Sequence, residues 1–333
     1  MVKKFLKSHP VHKKIVPHLD YLFLLRPTLF FSVWVMMVMG MATARIHSSL
    51  PAVGILQISY STLLVFIGVS LVSAAAFILN QIMDVDSDSV NKKLFLVGKH
   101  ISLGKSRKVA QILAATGIVL TLLGNWVTSI AAALLYFLWG ILYNQPPFQW
   151  KKKPIAGWMV NIFSGILLYL IGWIIISTRS EFTSPGLVEF FTITLPYIFC
   201  FASVALLTTL PDVKGDESAG DNTFPLVFGK NITLLIAFIL PVGAFILGLK
   251  NADPLASTAS ITAIPFFVFA LFRRLDKDIL RAIRYPIFIL NFFALTVYPY
   301  LAIPLIITFY LSKYYYWHRF ELHYPTFLVD DSH

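Results

Sequence analysis

Cysteine is all but missing from this chain, and charge is thin. Cys200 is the single cysteine among 333 residues, so no disulfide can form within the chain. It reads as a small apolar helix residue rather than a nucleophile. Charged residues make up 13% of the chain, against about a quarter in soluble domains, which excludes a surface that mostly faces water. Strict apolar–polar alternation is also lacking, and this excludes a closed transmembrane barrel. No leader peptide is legible: "MVKKFLKSHPVHKK" is basic but has no adjoining apolar core or small-residue cleavage site. It reads as a lead-in lying on a surface.

What is abundant is apolar sequence, 57% of the residues. Runs of about 20 apolar residues, the length that crosses a bilayer as helix, recur along the whole chain. They predict spans at 28–45, 58–82, 107–124, 126–143, 156–178, 187–210, 231–249, 254–272 and 286–311. The expected fold is all-α: a polytopic membrane protein with nine transmembrane helices around a central cavity. Its parts are a basic lead-in (1–27), one membrane domain (28–311) and a short aromatic tail (312–333). The tail's "KYYYWHRFELHY" reads as an interfacial belt on the side opposite the lead-in.

The formal net charge of +11 is distributed by side. With the N-terminus cytoplasmic, 22 of the 27 Lys and Arg fall in the lead-in and in the loops on its side. Only Arg45, Arg179, Lys250, Lys313 and Arg319 fall on the other. This is the positive-inside pattern, and it predicts a multi-pass protein of the cytoplasmic membrane. The basic excess is topology and attraction to anionic headgroups, not a nucleic-acid footprint.

Acids are few and clustered. In "LNQIMDVDSDSVNKK" (79–93), Asn80, Asp84 and Asp88 stand at i, i+4, i+8 and line one helical face, with Asp86 turned to solvent. Like charges so placed repel, and a carboxylate at membrane depth costs up to about 3 kcal/mol, so a cation is expected there. A second cluster, "TTLPDVKGDESAGDNTFPLVFGKN", repeats the spacing with Asp212 and Asp216, and Gly220 takes the third place. Downstream of each comes matching text, "GKHIS" (98–102) and "GKNIT" (229–233). Helices 2–3 and 6–7 therefore read as one unit used twice, and such repeats place a site at their interface. Carboxylates with amide oxygens suit hard cations, and Mg²⁺ takes protein carboxylates together with substrate phosphates. No thiolate or His set points to zinc or iron.

At these residues the chain resembles the UbiA superfamily of intramembrane prenyltransferases, which carries NxxxDxxxD after its second helix and a DxxxD-type motif after its sixth. "LLRPTLF" (24–30) is similar to that family's Arg-Pro entry, and "YNQPPFQWKKKP" (143–154) to its Tyr-Ser-x-Pro-Pro segment, with Lys151 eight residues after Tyr143. The text around Asp212 resembles that of branches acting on homogentisate, dihydroxynaphthoate, chlorophyllide or glyceryl phosphate. One stretch departs: many relatives follow the Asn with Arg-Pro, and here Lys92-Lys93 follow Asn91.

The resemblance implies transfer of an isoprenyl group from its diphosphate to an acceptor, first an aromatic quinone precursor, alternatively a chlorin, haem or glyceryl phosphate. It implies Mg²⁺ on Asp84, Asp88, Asp212 and Asp216, with Asn80 assisting. Lys92, Lys93 and Lys151 would contact the diphosphate, Tyr143 would face the allylic cation, and Arg26 would orient the acceptor. The expected partners are a prenyl diphosphate donor, a small aromatic or lipid-like acceptor and the bilayer; oligomeric state is not legible. Three rival readings remain. A secondary transporter also uses intramembrane acids and repeats, but needs them at mid-span rather than at one edge. A CDP-alcohol phosphotransferase needs a DGxxAR stretch, which is absent. A non-catalytic prenyl-lipid binder would not need both clusters.

Overall fold

The computed structural model describes residues 10–48, 58–91, 96–177 and 186–326, and it is helical throughout, with no strand among the described residues. Eight of its helices are long and apolar enough to cross a membrane, and Trp126–Leu142 is a shorter apolar helix. In chain order the helices are α1 (Pro10–Leu24), α2 (Phe30–His47), α3 (Tyr60–Met83), α4 (Val85–Val90), α5 (Leu103–Gly124) and α6 (Trp126–Tyr136). They continue as α7 (Pro154–Ser177), α8 (Leu187–Leu207), α9 (Val213–Ser218), α10 (Phe224–Lys250), α11 (Pro254–Arg273), α12 (Asp276–Val297) and α13 (Ala302–Phe320).

Polar residues at the ends start these apolar helices. Ser59 accepts from Thr62 N at 3.1 Å, Asn125 from Val127 N and Thr128 N, and Asp253 from Leu255 N and Ala256 N at 3.0 Å. Each cap satisfies N–H groups that the helix leaves open. Small residues then bring helix backbones together: a Cβ on Gly40 or Gly172 would strike the backbone of Tyr169 or Met37, so α2 and α7 cross in direct contact. Outward faces stay apolar, as at Ile112 and Leu123 on α5 and Ile239 and Ile246 on α10.

Helices α2, α3, α7, α8 and α12, with the turn that follows α6, wall a cavity, and α5, α10 and α11 pack outside them. The expected repeat is visible in the backbone. Short α4 follows α3 and short α9 follows α8, and the two short helices pack on each other. Gly98 and Gly229, the first residues of the matching downstream texts, both take positive φ, +80° and +84°, which glycine adopts without a Cβ clash.

Two expectations are corrected. The span predicted at 286–311 is not one helix: Pro299 offers no N–H, Tyr298 is pulled out of helix (φ −129°, ψ 77°), and the chain breaks between α12 and α13. The aromatic tail expected opposite the lead-in does not lie there. Residues 312–320 complete α13, and its end runs beside α1, with Tyr315 donating to Asp20 at 2.6 Å. Tyr315 and Arg319 lie on one face at i, i+4, and Asp20 is their common partner. Arg319 thereby joins the basic end of the molecule.

Candidate active site

Asp84 is the joint between α3 and α4. The helical bonding runs through it, Asp84 N to Asn80 O at 3.0 Å and Asp88 N to Asp84 O at 2.8 Å, so the i, i+4, i+8 face survives the break. Asp86, off that face, is exposed. Asp212 is the equivalent joint before α9.

All eight of the described candidates line one cavity of about 370 Å³: Arg26, Asn80, Asp84, Asp88, Tyr143, Lys151, Asp212 and Asp216. Lys92 and Lys93 lie outside the described residues. The remaining wall is largely apolar and aromatic, with Met36, Phe77, Trp139, Phe201 and Leu290.

The cations the carboxylates require are present. Lys151 is ion-paired with Asp84, and Arg26 Nη2 stands 3.7 Å from Asp88 Oδ2. Among the three adjacent lysines the register is therefore decided. Lys151 points at the first acidic motif and is 7% exposed, whereas Lys152 pairs with Asp221 at 2.7 Å beside the second. The loop is fixed at both ends, Lys151 N bonding Tyr143 O and Asn222 N bonding Lys152 O, each at 3.2 Å.

Three amides that sequence reading missed hold the site together. Asn91 donates to Asp212 O (3.2 Å) and accepts from Gly215 N (2.9 Å), tying the first motif to the second. A Cβ on Gly215 would run into Asn91 and Ser87 O, so only glycine lets α4 and α9 approach this closely. Asn144, buried, donates to Trp139 O (2.6 Å) and accepts from Asn80 (3.2 Å), while Asn80 also donates to Asp84 Oδ2 (2.6 Å). Asn161 on α7 accepts from the Trp139 indole at 3.0 Å. The signal for Asn91 and Asn144 was a polar amide at the edge of each quoted motif. Asn161, alone in an apolar helix, was the plainest clue.

Between them, residues 137–142 wind as a π turn, with Tyr143 N bonding Leu138 O across five residues. Such turns re-aim side chains and recur at functional sites. Here Trp139 and Tyr143 reach the cavity from the end of α6.

Among the described residues no three Asp, Glu, His or Cys side chains converge as a ready cation site; Asp84 and Asp88 are turned to Lys151 and Arg26 instead. The donor set still suits a hard divalent ion. Four carboxylates and an amide line the one cavity, and Asp216 lies within electrostatic reach of Asp212, Asp221 and Asp84.

An all-helical bundle of apolar, membrane-length helices with two acidic motifs lining one cavity defines a class: polytopic intramembrane proteins. Within that class the chain belongs to the UbiA prenyltransferase family, whose model matches residues 28–293. It is 29% identical over 215 residues to a 2-acylphloroglucinol 4-prenyltransferase of Humulus lupulus, covering 60% of this chain and 50% of that one. It is 26% identical over 175 residues to the digeranylgeranylglyceryl phosphate synthase of Sulfolobus acidocaldarius, covering 52% and 59%. The chain thus spans about half the length of the curated relatives it matches. A solved UbiA homologue from Archaeoglobus fulgidus, bound to DMAPP and Mg²⁺, shares the fold with a TM-score of 0.63. Its identity is 18%, over 84% of this chain and 98% of that one.

Proposed function

We propose that this protein transfers an isoprenyl group from its diphosphate to an electron-rich aromatic acceptor of the quinone-precursor kind. One observation carries the reading: both acidic motifs, Lys151 and Arg26 line a single cavity that also presents an apolar and aromatic surface, with Met36, Phe77, Trp139, Phe201 and Leu290. A substrate with an anionic head and a hydrocarbon tail matches that division. The Humulus lupulus relative acts, by its name, on a phloroglucinol ring, which is the chemistry assigned here.

Asp84, Asp88, Asp212 and Asp216, with the Asn80 amide oxygen, would hold Mg²⁺, which when bound supplies positive charge against the diphosphate. The chain's own groups do the rest. Lys151 and Arg26 are cations fixed beside the carboxylates, and they hold diphosphate oxygens as negative charge grows on the leaving group. In most enzymes, preorganised charge of this sort lowers the barrier more than any other device. Tyr143 and Trp139 present ring faces to the allylic carbon as its C–O bond loosens, an attraction of about 2 kcal/mol when desolvated. The apolar wall of Met36, Phe77 and Leu290 keeps water from that carbon. The acceptor ring then forms the C–C bond as diphosphate leaves, and the ring proton passes to a diphosphate oxygen, which restores aromaticity. By the charge asymmetry, this chemistry faces the cytoplasm, and the bundle is a multi-pass protein of the cytoplasmic membrane in which nine spans are followed by α13, which brings the chain back to the end that holds α1.

The test is product formation. Purified protein in detergent with Mg²⁺ and labelled geranylgeranyl diphosphate is offered homogentisate, dihydroxynaphthoate, an acylphloroglucinol, haem and geranylgeranylglyceryl phosphate, and products are read by mass spectrometry. A prenylated ring supports the reading. Product only from haem or the glyceryl phosphate overturns the aromatic acceptor. Absence of any product alongside Mg²⁺-independent ion or solute flux in vesicles would favour a transporter.

A further inference from the structure

Helices α1 and α13 both lie outside residues 28–293, the part that matches the family, yet they pack on each other beside the entrance to α2. Their contact is a built one. Asp20, 5% exposed, accepts from Tyr315 (2.6 Å) and from two nitrogens of Arg319 (3.2 and 3.0 Å). Arg319 also bonds His100 Nδ1 at 2.7 Å. Desolvation and the Arg319 charge lower the pKa of the His100 imidazole from its ordinary value. One turn on, the Phe23 ring stacks flat on Tyr315 at 3.9 Å and meets Tyr316 edge-on. Beyond α13 the chain turns back, and Tyr324 shares a hydrogen bond with Thr28 at 3.2 Å.

Residues 20, 23 and 28 are thus gripped from the same C-terminal stretch, and Arg26 lies between the last two. Its backbone is in the left-handed region, φ +52°, a conformation that costs a residue with a side chain roughly 1–2 kcal/mol. Such a residue persists where its surroundings over-determine it, and it marks functional positions. Gln81 completes the grip, donating to Leu24 O at 2.9 Å from inside α3. The outcome is an Arg26 side chain carried over the cavity to within 3.7 Å of Asp88.

We propose that the C-terminal helix is part of the reaction machinery: Tyr315, Arg319 and Tyr324 are positioning residues that clamp segment 20–28 and so aim Arg26 into the cavity. A belt of interfacial aromatics would need neither the shared carboxylate nor the return to Thr28. The proposal rests on the prenyl-transfer reading for its readout and not for its geometry.

The experiment is a double-mutant cycle. Tyr324→Phe removes one hydroxyl at a half-buried site, and Tyr315→Phe removes one from Asp20; neither empties a cavity. Each variant lowers kcat/KM about 5–10-fold with the same KM-against-kcat split as Arg26→Lys. In the Arg26→Lys background each changes it less than about twofold, because contacts that act through one residue are not additive. Full additivity, or wild-type activity in both single variants, overturns the proposal. Hydrogen exchange over residues 24–29 reads the clamp without turnover. Faster exchange in Tyr315→Phe supports the clamp and unchanged exchange overturns it, even for a chain whose wild type shows no transfer and whose functional reading has therefore failed.

Discussion

At the scale of single residues, the site separates neighbours that look interchangeable in sequence. Lys151, Lys152 and Lys153 are consecutive, but only Lys151 enters the cavity and reaches Asp84. Lys151→Met is therefore expected to lower kcat by about 10²-fold, the usual loss for one preorganised electrostatic contact. Lys152→Met, which loses the ion pair to Asp221 and leaves the Lys151–Asp84 pair intact, is expected to lower kcat by less than about tenfold, because Lys152 itself stands outside the cavity. Steady-state kinetics on the two variants decides this, and equal losses would refute the register. Asn91 makes a different claim. It touches Asp212 O and Gly215 N, so Asn91→Ala strands a buried N–H and is expected to cost about 1–3 kcal/mol of stability. Thermal unfolding in detergent measures that. The acidic positions and Lys151 were legible because charge is rare here and each charge in an apolar chain needs a reason. Asn144 and Asn161 offered only a lone amide as a signal, and their roles were not legible because an isolated amide has no period and its partners come from other helices.

Among the elements, the turn at 137–142 precedes Tyr143 and Asn144 and holds Trp139, three residues of the cavity lining. An α-helix advances about 100° per residue, so the extra residue of the π turn decides whether Tyr143 and Asn144 face the cavity. Deleting Ile141 restores α geometry and rotates both away. We expect turnover to fall at least about 10²-fold while the unfolding temperature shifts only a few degrees. Retained activity would show that the π turn does not set the aim of these side chains. The apolar run over 126–143 was readable as a span, but nothing in its composition reports the winding. The break at Tyr298 was hidden for a related reason. Hydropathy continues through Pro299, and a proline in an apolar run is read equally as a kink or as an end. The doubled motif fared better, since α4 and α9 fall where the two acidic texts place them.

For the whole molecule, composition and the spacing of runs foretold an all-helical bundle. What neither foretold was that the chain's last described helix returns to its first. That pairing depends on one carboxylate, Asp20, meeting Tyr315 and Arg319 across almost 300 positions, a contact that no local pattern encodes. Topology can be read directly. In a Cys200→Ser background, single cysteines at Lys214 and at Glu321 are expected to react with a membrane-impermeant maleimide from the same, cytoplasmic face. Labelling from opposite faces would restore a tail on the far side.

The central claim is that the two acidic motifs act together on one diphosphate. It is tested most directly by Mg²⁺-dependent release of diphosphate from labelled geranylgeranyl diphosphate, comparing wild type with Asp84→Asn and Asp216→Asn. These variants keep the shape of each side chain and remove its charge. The account predicts that release falls at least about 10²-fold in both and stops on adding EDTA, in protein that remains folded and monodisperse. Undiminished release in either variant would mean that one motif alone serves the substrate, and the shared site described above would be wrong.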